Sequence, residues 1–133
     1  MADSVANTII AQTKTYIVTS HVFTIDGTEA ADLILVDKST ITGPDGTEPG
    51  RLVLEKLQFF TTGCQVMLEF EHSTDDPIAI LSGYGEIDYT DCGRFQGFVD
   101  PASAGTTGDL VATTLNTDAG DTIYMVSFVR KKD

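Results

Sequence analysis

Tryptophan is absent from these 133 residues, cysteine and histidine occur twice each, proline four times, and only eight side chains are basic. Each shortage excludes something. Cys64 and Cys92 are too few for a disulfide scaffold; they read as small buried or half-buried thiols, with a single bridge as the alternative. Without tryptophan a sugar cleft lacks its usual stacking group. Eight Lys and Arg against 20 Asp and Glu leave a net charge of −12, a field that repels nucleic-acid phosphates and anionic lipid headgroups. Neither nucleic acid nor membrane is expected as a partner. No window approaches the roughly 18 apolar residues of a membrane span. The opening stretch has no basic region and only Ile9-Ile10 as an apolar run, so no signal peptide is expected and the chain is placed in a cytoplasm or in something assembled there.

Catalytic signatures are scarce as well. Leu81-Ser82-Gly83-Tyr84-Gly85 lacks the leading glycine of a nucleophile elbow, and Gly105-Thr106-Thr107-Gly108-Asp109 has glycines but no following lysine or helix to cradle a phosphate. A dyad of Cys64 or Cys92 with His72 is formally possible and unsupported by spacing. The acidic pairs Glu69/Glu71 and Glu86/Asp88 fit the wet side of a sheet better than a glycosidase pair. The expectation is therefore a chain that is not an enzyme and carries no cofactor. Metal ligands could come from His72, Asp75, Asp76, Cys64 and Cys92, but no close ligand spacing is present. Asp45, Asp75, Asp76, Asp88, Asp91, Asp118 and Asp121 lie in or near predicted turns, where aspartate either forms the turn or binds a hard cation; the first is expected.

What the sequence has is alternation. Tyr16–Ile25, Ala31–Asp37, Arg51–Phe60, Gln65–Glu71, Ile78–Ser82, Glu86–Tyr89, Phe95–Val99, Leu110–Leu115 and Thr122–Arg130 read as extended segments rich in β-branched and aromatic residues. Asp26-Gly27, the stretch from Lys38 to Gly50, Ser73–Pro77, Asp91–Gly93 and Asp118–Asp121 separate them as turns. Thr61-Thr62-Gly63 predicts a tight hairpin, and Gly83-Tyr84-Gly85 a bulge or sharp bend. In the last strand Ile123, Met125, Ser127 and Val129 share one side, opposite Tyr124, Val126 and Phe128. About eight short strands at this spacing predict an all-β, antiparallel β-sandwich, jelly-roll or Greek-key like. The expected organisation is a short N-terminal arm over residues 1–13, helical or extended, and a single β-sandwich domain over 14–133.

The final quarter carries a resemblance. Phe98-Val99-Asp100, the loop Pro101–Asp109, Leu110–Thr114 and the run Gly120–Lys132 together resemble small virion structural proteins of tailed bacteriophages, in particular capsid decoration (cement) proteins. The resemblance implies a jelly-roll or sandwich domain, a homotrimer on the outside of a capsid, the major capsid protein as partner, and no catalytic residue. Docking is expected through Val5, Ile9 and Ile10, apolar residues outside the strand register, and through the basic cluster Arg130, Lys131 and Lys132. Two other readings stand beside it. One is a carbohydrate- or receptor-binding module, which calls for exposed aromatics, with Tyr84, Tyr89 and Phe95 as candidates. The other is a tail-tube or head-completion protein.

Overall fold

A computed structural model of the chain describes residues 4–25, 33–72, 76–90, 97–100 and 108–132, with side chains from residue 6 onward. Asp26–Asp32, Ser73–Asp75, Asp91–Gln96 and Pro101–Thr107 lie outside the described residues, and with them Cys92, Phe95 and several expected turns.

Among the described residues there are eight strands: β1 (Ser4–Gln12), β2 (Tyr16–Thr24), β3 (Leu33–Val36), β4 (Arg51–Phe70), β5 (Asp76–Asp88), β6 (Phe98–Val99), β7 (Leu110–Leu115) and β8 (Thr122–Lys132). Every pairing among them is antiparallel. The pairings are nested. β2 pairs β8, β3 pairs β7, Val53 and Leu54 near the start of β4 pair β6, and β4 from Lys56 to Phe70 pairs β5. A long antiparallel ribbon rolled up in this way is a jelly roll, so the fold is all-β in that form. One layer is β1-β2-β8-β4 with the second part of β5 alongside; the other is β3-β7-β4 with the first part of β5 alongside. Asn7 of β1 donates from Nδ2 to the Ile34 carbonyl of β3 at 3.1 Å, joining the free edges of the two layers.

Period-two alternation decides which side faces the core. On β2, Ile17, Thr19, His21 and Phe23 are buried, while Val18, Ser20 and Val22 between them are half-buried. On β8, Ile123, Met125, Ser127, Val129 and Lys131 are buried, opposite Tyr124, Val126 and Phe128. Of these, Ile17, Phe23, Ile123, Met125 and Val129 meet Leu52, Leu54, Leu57, Val66, Leu68, Phe70, Leu110 and Ala112 in one cluster. Each large aliphatic side chain buried there contributes about 1.5–3 kcal/mol by leaving water.

Two expectations are corrected. Thr61-Thr62-Gly63 is no hairpin: β4 runs straight through it for 20 residues. Along one edge it trades β8 (Arg51–Thr62) for β7 (Gln65–Phe70), so the strand passes from one layer to the other at a corner. The irregularity expected at Gly83-Tyr84-Gly85 is present inside β5: Gly83 takes φ 81° beside the same corner, and the β4–β5 register shifts between Tyr84 and Ser82. The segment read as an arm is an edge strand, in register with β2 from Ser4↔Thr24 to Gln12↔Ile17, with a bulge between Ile9 and Ala11. That bulge breaks the alternation which would have marked it as a strand.

Candidate functional site: an exposed aromatic face

The outward side of the β1-β2-β8-β4-β5 layer carries the apolar residues that the core leaves over. One ladder row runs across five strands: Ala6 opposite Val22, Val22 opposite Tyr124, Tyr124 opposite Phe60, Phe60 opposite Tyr84. Phe60, Tyr124 and Tyr84 are 46%, 47% and 82% exposed. The rings of Phe60 and Tyr124 lie 6.3 Å apart at 59°, a tilted aromatic pair. The next row is Ser20, Val126, Gln58 and Glu86, and the one after it holds Val18, Phe128, Lys56 and Asp88. Gln58 Nε2 donates to Glu86 Oε2 at 2.9 Å, and Lys56 Nζ pairs with Glu86 Oε1 at 3.2 Å. These bonds to its neutral and cationic neighbours hold the Glu86 carboxyl below the usual glutamate range. Lys56 Nζ also stands 5.6 Å above the Phe128 ring. The result is a shallow open depression with an aromatic centre and a polar rim, lined by Phe60, Tyr84, Tyr124, Val126, Gln58 and Glu86. That arrangement suits a partner laid flat against it.

The expected docking residues are distributed differently. Val5 pairs through its backbone with Phe23 on the edge strand. Ile9 and Ile10 are 55% and 56% exposed, and Ile9 lines a separate groove with Ile17, Ile34 and Ile41 between β1 and β3. The basic end is no free tail. Arg130 Nε stands 3.3 Å from Glu55 Oε1. Lys131 is 3% exposed, its ammonium donating to Gln12 Oε1 at 2.9 Å, to the Thr13 carbonyl at 2.8 Å and to the Thr42 carbonyl at 2.9 Å. An alternating strand sends residue 131 inward with 129 and 127, so Lys131 ties the two expected docking segments to each other and is withdrawn from any partner. Lys132 is exposed.

The metal candidates separate too. Cys64 is a buried free thiol whose pKa is raised, chiefly by burial. Asp45 accepts from Thr47 N at 3.0 Å, Asp88 from Thr90 N at 2.9 Å and Asp121 from Asp118 N at 2.8 Å, so these carboxylates are spent on forming turns. His72 and Asp76 do converge, at 3.6 Å, and Asp100 joins them with Oδ1 2.6 Å from His72 Nε2. Asp100 lies 28 residues beyond His72, a separation from which no ligand spacing can be read. Of the exposed aromatics expected for a recognition module, Tyr84 is exposed and Tyr89 half-buried; Phe60 and Tyr124 were missed, although their alternation with buried neighbours marks them as outward.

The architecture and this face define a jelly-roll protein with an aromatic sheet surface open to contact. No family model and no curated protein sequence matches the chain. Among solved structures, the chain is similar to a cupin superfamily protein from Desulfitobacterium hafniense DCB-2, at 10% identity and a TM-score of 0.38, over 98% of this chain and 79% of that one. A likeness this loose assigns nothing to this chain.

Proposed function

We propose that this chain is a virion structural protein of the capsid decoration type, which docks on the major capsid protein through the outward face of β2, β8, β4 and β5. The observation that carries the reading is the aromatic row Tyr124-Phe60-Tyr84, exposed on a sheet whose opposite side already holds a complete core. A surface of that kind is a docking surface before it is anything else. The resemblance in the final quarter supplies the partner, and the rolled ribbon supplies a stiff clamp. The acidic charge, −12 overall, favours a partner whose rim is basic. Cryo-EM of the native particle tests it. Hundreds of copies on the shell, with Tyr84 and Phe60 turned onto the capsid protein, support the reading. Six or fewer copies point to a tail or head-completion part and overturn it. A homotrimer belongs to the same proposal and is checked by light scattering on the purified chain.

One observation favours a second reading. Tyr84 at 82% exposure, beside Phe60, offers flat rings on which a sugar could stack, with Gln58 and Glu86 in the adjacent row to bond its hydroxyls. Binding on a glycan array that disappears in Tyr84→Ala would establish a carbohydrate module instead.

A further inference from the structure

We propose that His72, Asp76 and Asp100 form a site for one first-row divalent cation, zinc by its donor set, at the end of the jelly roll where β4 turns into β5. This site is independent of the docking face. His72 lies two residues past β4, Asp76 opens β5, and Asp100 follows β6 directly. Their Nε2, Oδ2 and Oδ1 atoms all lie within 4.8 Å of one another. Backbone pairing anchors each segment: Asp76 is the register partner of Phe70, Asp100 N donates to the Leu52 carbonyl at 3.1 Å, and Glu71 N, beside His72, donates to the Asp109 carbonyl at 2.9 Å.

Proton counting favours an ion here. His72 Nε2 carries at most one hydrogen, and Asp100 Oδ1, at 2.6 Å, is placed to take it. Asp76 Oδ2 stands 3.6 Å from the same nitrogen, is itself buried, and accepts no hydrogen bond. A buried carboxylate oxygen without a donor is costly, and a cation between the three atoms satisfies all of them at once. Gly108 makes room for the arrangement. It takes φ 68°, and a Cβ there would come within 2.8 Å of Asp100 Oδ2.

One imidazole nitrogen with two carboxylate oxygens suits zinc and its first-row neighbours better than calcium or magnesium, which take oxygen alone. Zinc bonds of about 2.0–2.2 Å put neighbouring ligand atoms roughly 3.3 Å apart. The 3.6 Å separation already matches, and the 2.6 Å contact opens when the ring shifts to its Nδ1–H tautomer and frees Nε2 for the ion. Side chains of His72 and Asp100 are 3% and 2% exposed and that of Asp76 29%, so the ion enters past Asp76 and keeps water on that side. Bound there, it staples His72 after β4 and the start of β5 to Asp100 after β6.

The test uses the full chain, stripped with EDTA and returned to chelator-free buffer. Zinc chloride at about 10 µM should bind at one equivalent by calorimetry and raise Tm by about 5 °C or more. Cobalt(II) should give the visible d–d absorption of a low-coordinate site. His72→Gln should abolish both signals. Asp76→Asn, which keeps the His72–Asp100 bond, should melt no lower than the parent in EDTA yet lose the gain with zinc. The proposal is overturned if the parent chain shows neither one-equivalent binding nor a zinc-dependent shift, since His72 and Asp100 are then only an internal pair. It is equally overturned if both variants keep the shift, which places the ion elsewhere.

Discussion

His21 is fully buried in the middle of a chain of polar contacts. Ser127 Oγ lies 2.5 Å from Thr19 Oγ1, Thr19 Oγ1 2.7 Å from His21 Nε2, and His21 Nδ1 2.8 Å from Asn7 Oδ1. Because Asn7 Nδ2 donates to Ile34 O, its Oδ1 must accept, which places the imidazole hydrogen on Nδ1 and leaves Nε2 to accept from Thr19. The chain is satisfied with a neutral ring. Burial accordingly lowers the His21 pKa to about 4. The unfolded chain, with an ordinary histidine, binds a proton already near pH 6.5, so between about pH 6.5 and 4 it holds more protons than the folded one. Stability contributed by His21 is complete above pH 7 and declines as pH falls through that window, by roughly 3 kcal/mol at its lower end. Urea unfolding at pH 7, 5.5 and 4.5 checks this against His21→Gln, which cannot titrate; parallel losses in both chains would refute it. Lys131 makes a second residue-scale case. Lys131→Met keeps the aliphatic stem but strips three acceptors of their donor, and should cost roughly 1–3 kcal/mol, read as a lower urea midpoint at neutral pH.

Among the elements, β4 teaches most. Its corner turns on Gly63, at φ 79°, where a Cβ would run into the Asp121 carboxylate. Gly63→Ala therefore adds backbone strain to a steric clash, and should destabilise by roughly 2–4 kcal/mol in chemical unfolding. Gly120→Ala, at φ 91° but with nothing near its Cβ, should cost clearly less. The same corner shows where sequence reading stops. β2 and β8 were legible because each keeps strict alternation over its whole length, Ile17 to Phe23 and Ile123 to Lys131. In β4 the register shifts at Glu55, which puts Leu54 and Leu57 on one buried side where a period of two separates them. Thr-Thr-Gly then looks the same whether a strand reverses or changes layers, since both need a glycine at positive φ. The site was half legible. His72 and Asp76 sit four residues apart and were named, whereas Asp100 reaches them only through the pairing of β6 with β4.

At the scale of the molecule, charge and apolar surface pull differently. A chain of net charge −12 resists crowding against copies of itself, yet its outward sheet face concentrates Phe60, Tyr84 and Tyr124 in one row. If that row is the buried centre of a contact with a capsid protein, its aromatics carry most of the affinity and the charged rim mainly sets the rate of encounter. Phe60→Ser combined with Tyr84→Ser should then weaken binding to undecorated capsids by 100-fold or more, at about 2 kcal/mol for each aromatic lost from a desolvated centre. Tm should move little, because neither ring is part of the core. Raising salt from about 0.1 to 0.5 M screens the rim and should slow association while leaving dissociation of the parent nearly unchanged. Surface plasmon resonance on immobilised capsids reads both rates. Fast dissociation in the double variant with association intact places the contact on this face. A variant that binds like the parent moves docking to the Ile9 groove between β1 and β3, and loss of binding that tracks salt alone leaves the aromatic row without a part in it.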